Sequence, residues 1–243
     1  MNLIWIDSAE STNTLLRNNP GMASPMTLLC AYAQTAGRGQ RGNSWEAEPG
    51  KNLTFSFRFH PEGIRPSEQF RISEATALAV TDALDESGIS AKVKWPNDIY
   101  VDERKIAGIL IEHMISGQSI TQTIVGVGLN VNQTSFISDA PNPVSMAMIT
   151  GREYDLDQIA LSFRKAFLTR MTMDADMLHA AYMNHLWRGD GLSYPYRDTA
   201  SGVCFKAKTV AVEPEGFLIL EDDTATLRRY AFKDVEAIRC NEI

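Results

Sequence analysis

The chain has 243 residues, of which 44% are apolar and 22% charged, and a net charge of -7 at pH 7. That length carries one large core, or a core with a small appendage, and the composition excludes disordered, collagen-like and coiled-coil chains. No global positive field draws it to DNA or an anionic membrane, so any bound anion must be gripped by a local site.

Leu3 to Ile6 is a short β-prone run, and the Ser/Asp/Thr/Asn cluster after it can cap a short helix through Leu15 and Leu16. Thr27 to Ala33 is a buried-type strand, followed by a polar, glycine-rich loop from Gln34 to Gly50. Asn52 to Phe59 alternates Leu53, Phe55, Phe57 and Phe59 with Thr54, Ser56 and Arg58, the period of a half-buried strand. Ser67 to Ser87 has helical spacing, opened by Pro66 and closed by Gly88. Strand-like runs follow at Ala91 to Trp95, Ile99 to Val101, Lys105 to His113 and Thr121 to Leu129; the last is expected at a sheet edge, open to a subunit or partner. Helices are expected over Asp157 to Arg170 and Asp174 to Trp187. Past Gly189 come four short strands: Val203 to Val212, Phe217 to Leu220, Thr226 to Phe232 and Val235 to Ile238. The expectation is an α+β fold, a mixed β-sheet flanked by helices, divided into residues 1–188 and a small β-rich unit over 189–243.

Gly37-Arg38-Gly39-Gln40-Arg41-Gly42 satisfies the dinucleotide pattern, but the sequence beyond it leads to another strand instead of a helix, so that reading is rejected. What remains is a loop of free backbone N–H groups and two guanidiniums, suited to phosphate or carboxylate oxygens. Lys94-Trp95-Pro96-Asn97-Asp98 ends a strand sharply at a lysine, and Gly126-Val127-Gly128-Leu129-Asn130 is a strand whose glycines admit a close approach. Ser11-Thr12-Asn13 stands at a helix start, where simple capping is the plainer reading. Cys30, Cys204 and Cys240 form neither a disulfide framework nor a metal pair, and the four histidines have no metalloprotease spacing. Without a signal region at Met1 to Asp7 or a membrane-length apolar run, a cytoplasmic protein is expected.

Taken in order, Glu10-Ser11-Thr12-Asn13, Gln34 to Gly42 with Trp45, Lys94 to Asp98, Lys105 to Leu110 and Gly126 to Asn130 resemble the catalytic core of biotin–protein ligases. The resemblance implies a sheet like that of class II aminoacyl-tRNA synthetases and a C-terminal SH3-like barrel. It implies ATP and biotin as substrates, Mg²⁺ as cofactor with unknown metal ligands, and a biotin carboxyl carrier domain as acceptor. Lys94 and Arg38 would be catalytic. Ser11, Thr12, Asn13, Gln34, Gly39 and Gln40 would hold biotin with them, and Arg41, Trp45, Lys105 and Asn130 would join Arg38 on the nucleotide side. With Ser11 so near the start, no DNA-binding repressor domain is expected, and the protein would be a monomer or homodimer. Gln40 stands where some members carry another arginine, which bears on how firmly the adenylate is held. Lipoate–protein ligase and a non-catalytic ligand-binding regulator are the alternatives.

Overall fold

A computed structural model describes residues 2–137 and 142–238, with the Arg41 side chain outside the description. In chain order the first region contains β1 (Leu3–Ala9), α1 (Thr12–Asn18), β2 (Leu28–Gln34), β3 (Leu53–Phe59), α2 (Phe70–Asp85), β4 (Lys92–Lys94), β5 (Asp98–Val101), β6 (Arg104–Ser116) and β7 (Ser119–Leu129). Then come α3 (Met146–Thr150), α4 (Leu156–Met171) and α5 (Ala175–Asn184), and a second region with β8 (Tyr194–Asp198), β9 (Cys204–Val212), β10 (Leu218–Asp222), β11 (Leu227–Tyr230) and β12 (Val235–Ala237). The first sheet runs β1-β2-β3-β7-β6-β5-β4, with β1 and β2 parallel and the other pairs antiparallel; the second is antiparallel in the order β11-β10-β9-β8-β12. The fold is mixed α+β, as expected.

Alternation along the central strands divides the first sheet into two faces. Phe55, Phe57 and Phe59 of β3 point into the main core, where Phe55 and Phe57 lie 4.9 Å from the rings of Phe163 and Phe167 of α4 respectively. Thr54 and Ser56 point the other way but are buried too, so the expected half-buried strand is corrected. The sequence pattern gives polarity and not coverage: β3 is interior to the sheet and α1 lies across its polar face, where Leu16 joins Leu29 and Ile124 in a smaller core. Thr121 to Leu129 is likewise no edge, because β7 sits between β3 and β6; the edges are β1 and β4.

Three local differences have plain causes. Helix α5 stops at Asn184, short of the expected Trp187, because the next residues turn to β4: Val93 N donates to His185 O and Trp187 N to Val93 O, both at 2.8 Å. Strand β8, hidden by Pro195, survives because the Pro195 carbonyl faces Ile238, just past the last residue of β12, where a missing N–H breaks no ladder. Helix α3 was signalled by Ser145, which caps Met148 N at 3.1 Å, and by Gly151 in the left-handed region at φ 74°. The apolar core continues through the change of topology near Gly189, since Tyr196, Leu218 and Tyr230 belong to the main cluster and Trp95 Nε1 donates to Gly216 O at 3.0 Å. Cys30 is buried, and burial pushes its thiol up; Cys204 is exposed, and Cys240 lies outside the described residues.

Candidate active site

Three glycines open the floor of the site. Gly108 of β6, paired with Gly128 of β7, and Gly126, paired with Ser56 of β3, lie on the face opposite the main core. At Gly126 a Cβ would come within 2.2 Å of Asn13 Oδ1, and at Gly128 within 2.3 Å of the Trp45 indole. The bare backbone therefore lets Asn13 and Trp45 lie flat on the sheet.

A cavity of about 1020 Å³ stands over this floor, between the first sheet and the second. Its lining contains Ser11, Thr12, Asn13, Gln34, Arg38 and Gly39, together with Gln40, Trp45, Lys94 and Lys105. With Gly126 and Gly128, which also line it, five stretches that are distant in the chain converge. Asn130 does not line it; it is buried, donates from Nδ2 to Val144 O at 3.1 Å, and holds the turn after β7. The Arg41 side chain lies outside the described residues, although its backbone forms a short 3₁₀ turn over Gln40–Gly42. No α-helix opens at Gly42, in keeping with the rejected dinucleotide reading.

Ser11 occupies the N-cap position of α1, yet its side chain accepts no capping hydrogen bond and is buried against the cavity. Capping therefore does not account for it. Thr12 N donates to Gln34 Oε1 at 2.8 Å, and the Thr12 and Ser56 hydroxyls lie 2.6 Å apart, with Ser56 in turn donating to Asn13 Oδ1. Thr12 and the Asn13 and Gln34 carboxamides form a polar wall of the cavity, fixed by the Ser56 hydroxyl, which does not itself line it.

Cationic side chains also line the cavity. Lys94 Nζ donates to Tyr100 OH at 3.0 Å and lies 4.6 Å and 5.3 Å from the ring centres of Tyr100 and Trp187. Burial holds its ammonium below lysine's usual range, with Asp98 pulling the other way. Lys105 Nζ is paired with Asp98 at 2.6 Å and sits 5.7 Å from the centre of the Trp45 ring, whose Nε1 is buried without a partner among the described residues. Arg38, at the rim and 40% exposed, donates from Nη1 to Thr14 Oγ1 at 3.3 Å and to Glu112 Oε1 at 3.4 Å. The sequence reading missed Ser56, Tyr100, Glu112 and Trp187. Ser56 had a signal, a small polar residue in a phenylalanine-rich strand; the others depend on cross-strand register and on where α5 ends.

Among the described residues no three Asp, Glu, His or Cys side chains converge on a metal position. No helix among them is long and apolar enough to cross a membrane.

Comparison with known proteins agrees with this geometry. The chain is 30% identical over 226 residues to a biotin–[acetyl-CoA-carboxylase] ligase of Paracoccus denitrificans, covering 90% of each. It is 28% identical over 241 residues to the bifunctional ligase/repressor BirA of Bacillus subtilis, covering 95% of this chain and 71% of that one. Its fold superposes on biotin protein ligase from Aquifex aeolicus, solved with biotin and ATP, with a TM-score of 0.80 at 24% identity, covering 98% and 99% of the two chains. The sequence profile described as the biotin/lipoate A/B protein ligase family matches residues 5–130, and the chain belongs to that family.

Proposed function

We propose that this protein is an ATP-dependent biotin–protein ligase, which makes biotinyl-5'-AMP and passes the biotinyl group to a lysine of a biotin carboxyl carrier domain. The observation that carries the reading is the convergence of Lys94 and Arg38 on one cavity that is also lined by Ser11 and by the polar wall of Thr12, Asn13 and Gln34. Relatives named as biotin ligases over most of the chain support biotin as the acid.

In the first step a carboxylate oxygen of biotin attacks the α-phosphorus of ATP and pyrophosphate leaves. Both reactants are anions, and unit charges 4 Å apart repel by about 4 kcal/mol at an effective dielectric of 20. Lys94, in the cavity lining, would bridge the carboxylate and the α-phosphate, offsetting that repulsion and the charge growing on phosphorus. Its aromatic surroundings and hydrogen bond to Tyr100 hold the ammonium in place beforehand. Arg38 joins it from the rim, and Gly39 and Gln40 line the cavity beside it. Ser11, Thr12, Asn13 and Gln34 read the ureido ring; Trp45 and Lys105, with Arg41, serve the nucleotide. Asn130 has a supporting place behind them, holding the β7 turn. In the second step the carrier lysine's amine attacks the acyl carbon and AMP leaves. Mg²⁺ neutralises the phosphate charge when it is bound. We read residues 1–188 as the ligase domain and residues 189–243, whose described part carries the antiparallel sheet β8–β12, as its small SH3-like companion. Biotin-dependent exchange of labelled pyrophosphate into ATP, followed by transfer to an apo carrier domain, tests the proposal; no exchange with biotin present would overturn it.

A further inference from the structure

Arg38 is assigned to ligand anions, yet its guanidinium rests on a carboxylate of the protein itself. Glu112 of β6 has no place in the reaction and does not line the cavity, but it joins three elements. Its Oε2 accepts from Asn13 Nδ2 at 3.0 Å, and its Oε1 accepts from Arg17 Nη1 at 2.9 Å and Arg38 Nη1 at 3.4 Å. Both Arg17 and Arg38 are partly exposed, at 43% and 40%. The Arg38 contact is the longer of the two, and a long, solvent-screened pair is easily exchanged.

We propose that Glu112 is a positioning residue that parks Arg38 at the rim of the site and yields it to the incoming biotin carboxylate or adenylate phosphate. Arg17 makes the exchange possible. When Arg38 leaves, Glu112 keeps one cation on Oε1 and Asn13 on Oε2, so no carboxylate is stranded and the polar wall does not move. A charge-assisted bond from Arg38 to a ligand carboxylate or phosphate, sheltered in the cavity, then outcompetes the exposed rim contact. The inference rests on the biotin-ligase reading.

Two substitutions of opposite sign test it, with biotin as the probe and the full chain throughout. Glu112→Gln keeps an acceptor for Asn13 but removes the charge that competes for Arg38, so biotin Kd and KM fall by about 2–5-fold, the range one exposed ion pair commands. Arg17→Ala leaves Arg38 as the remaining cation on Glu112 and raises both by about the same factor. In each variant kcat for pyrophosphate exchange stays within about twofold, since the parking step precedes chemistry. In an Arg38→Ala background neither change shifts biotin Kd, which a purely structural role for Glu112 would not produce. Unchanged Kd in both variants, shifts of the same sign, or shifts that survive without Arg38 would overturn the inference while leaving the ligase reading intact. Wild-type protein that binds no biotin overturns both.

Discussion

Gly128 lies directly beneath Trp45, so close that a Cβ on the glycine would stand 2.3 Å from Cε2 of the indole. The glycine is a requirement of the ring above it. Gly128→Ala therefore expels Trp45 from the cavity floor while leaving β7 paired on both sides. We expect the KM for ATP to rise at least about tenfold, as the loss of one well-placed contact of ~1.4 kcal/mol gives, with a smaller change in the KM for biotin. An equal rise in both would place Trp45 elsewhere than beside the nucleotide.

Lys94→Ala should abolish biotin-dependent pyrophosphate exchange, by at least about 10²-fold in kcat if removing one electrostatic stabiliser costs what it does elsewhere. The fold should survive it, because the ammonium is a buried cation whose desolvation weighs against the native state. Near-normal exchange in this variant would refute the assignment of Lys94.

Lys94 also sets an alkaline limit. Its ammonium is held below the ordinary value of about 10.4, so in the free enzyme it loses its proton at lower pH than an exposed lysine, and kcat/KM falls there. For stability the sign is opposite. Between the folded and unfolded pKa values the unfolded chain binds more protons, so Lys94 makes stability rise with pH across that window. Lys94→Met should flatten this slope. A kcat/KM profile whose alkaline limb follows exposed lysine would count against the caged ammonium.

Gln40→Arg adds a cation to the cavity lining and should slow the escape of free biotinyl-adenylate. Trapping of released adenylate checks this. Equal or faster leakage than wild type would show that residue 40 does not hold the intermediate.

Gln133 ties down the far end of the glycine loop: its Oε1 accepts from Glu48 N at 2.9 Å and from Asn52 Nδ2, and its Nε2 donates to Ser135 O at 2.7 Å. It is buried. Gln133→Leu strands the buried Asn52 amide and frees two more exposed partners, and should cost about 1–3 kcal/mol, the penalty for one buried group losing its hydrogen bond. Chemical denaturation measures it; a loss under about 1 kcal/mol, one ordinary hydrogen bond, would mean water replaces the side chain.

The chain's local chemistry determined much of this protein. Glycine spacing, the strand-ending Lys94-Trp95-Pro96 and the phenylalanine alternation of β3 are written in nearest neighbours, where backbone freedom, ring closure and side-chain period act over a few residues. Tertiary structure decided what covers each face. Ser56 looks solvent-facing until α1 lies across it, and Thr121 to Leu129 looks like an edge until β3 and β6 close on both sides. The same holds for the cage around Lys94, since Tyr100 reaches it through strand register and Trp187 through the early end of α5. Those contacts join residues far apart in sequence, and their formation depends on loop closure and burial summed over the whole core, which no local pattern encodes.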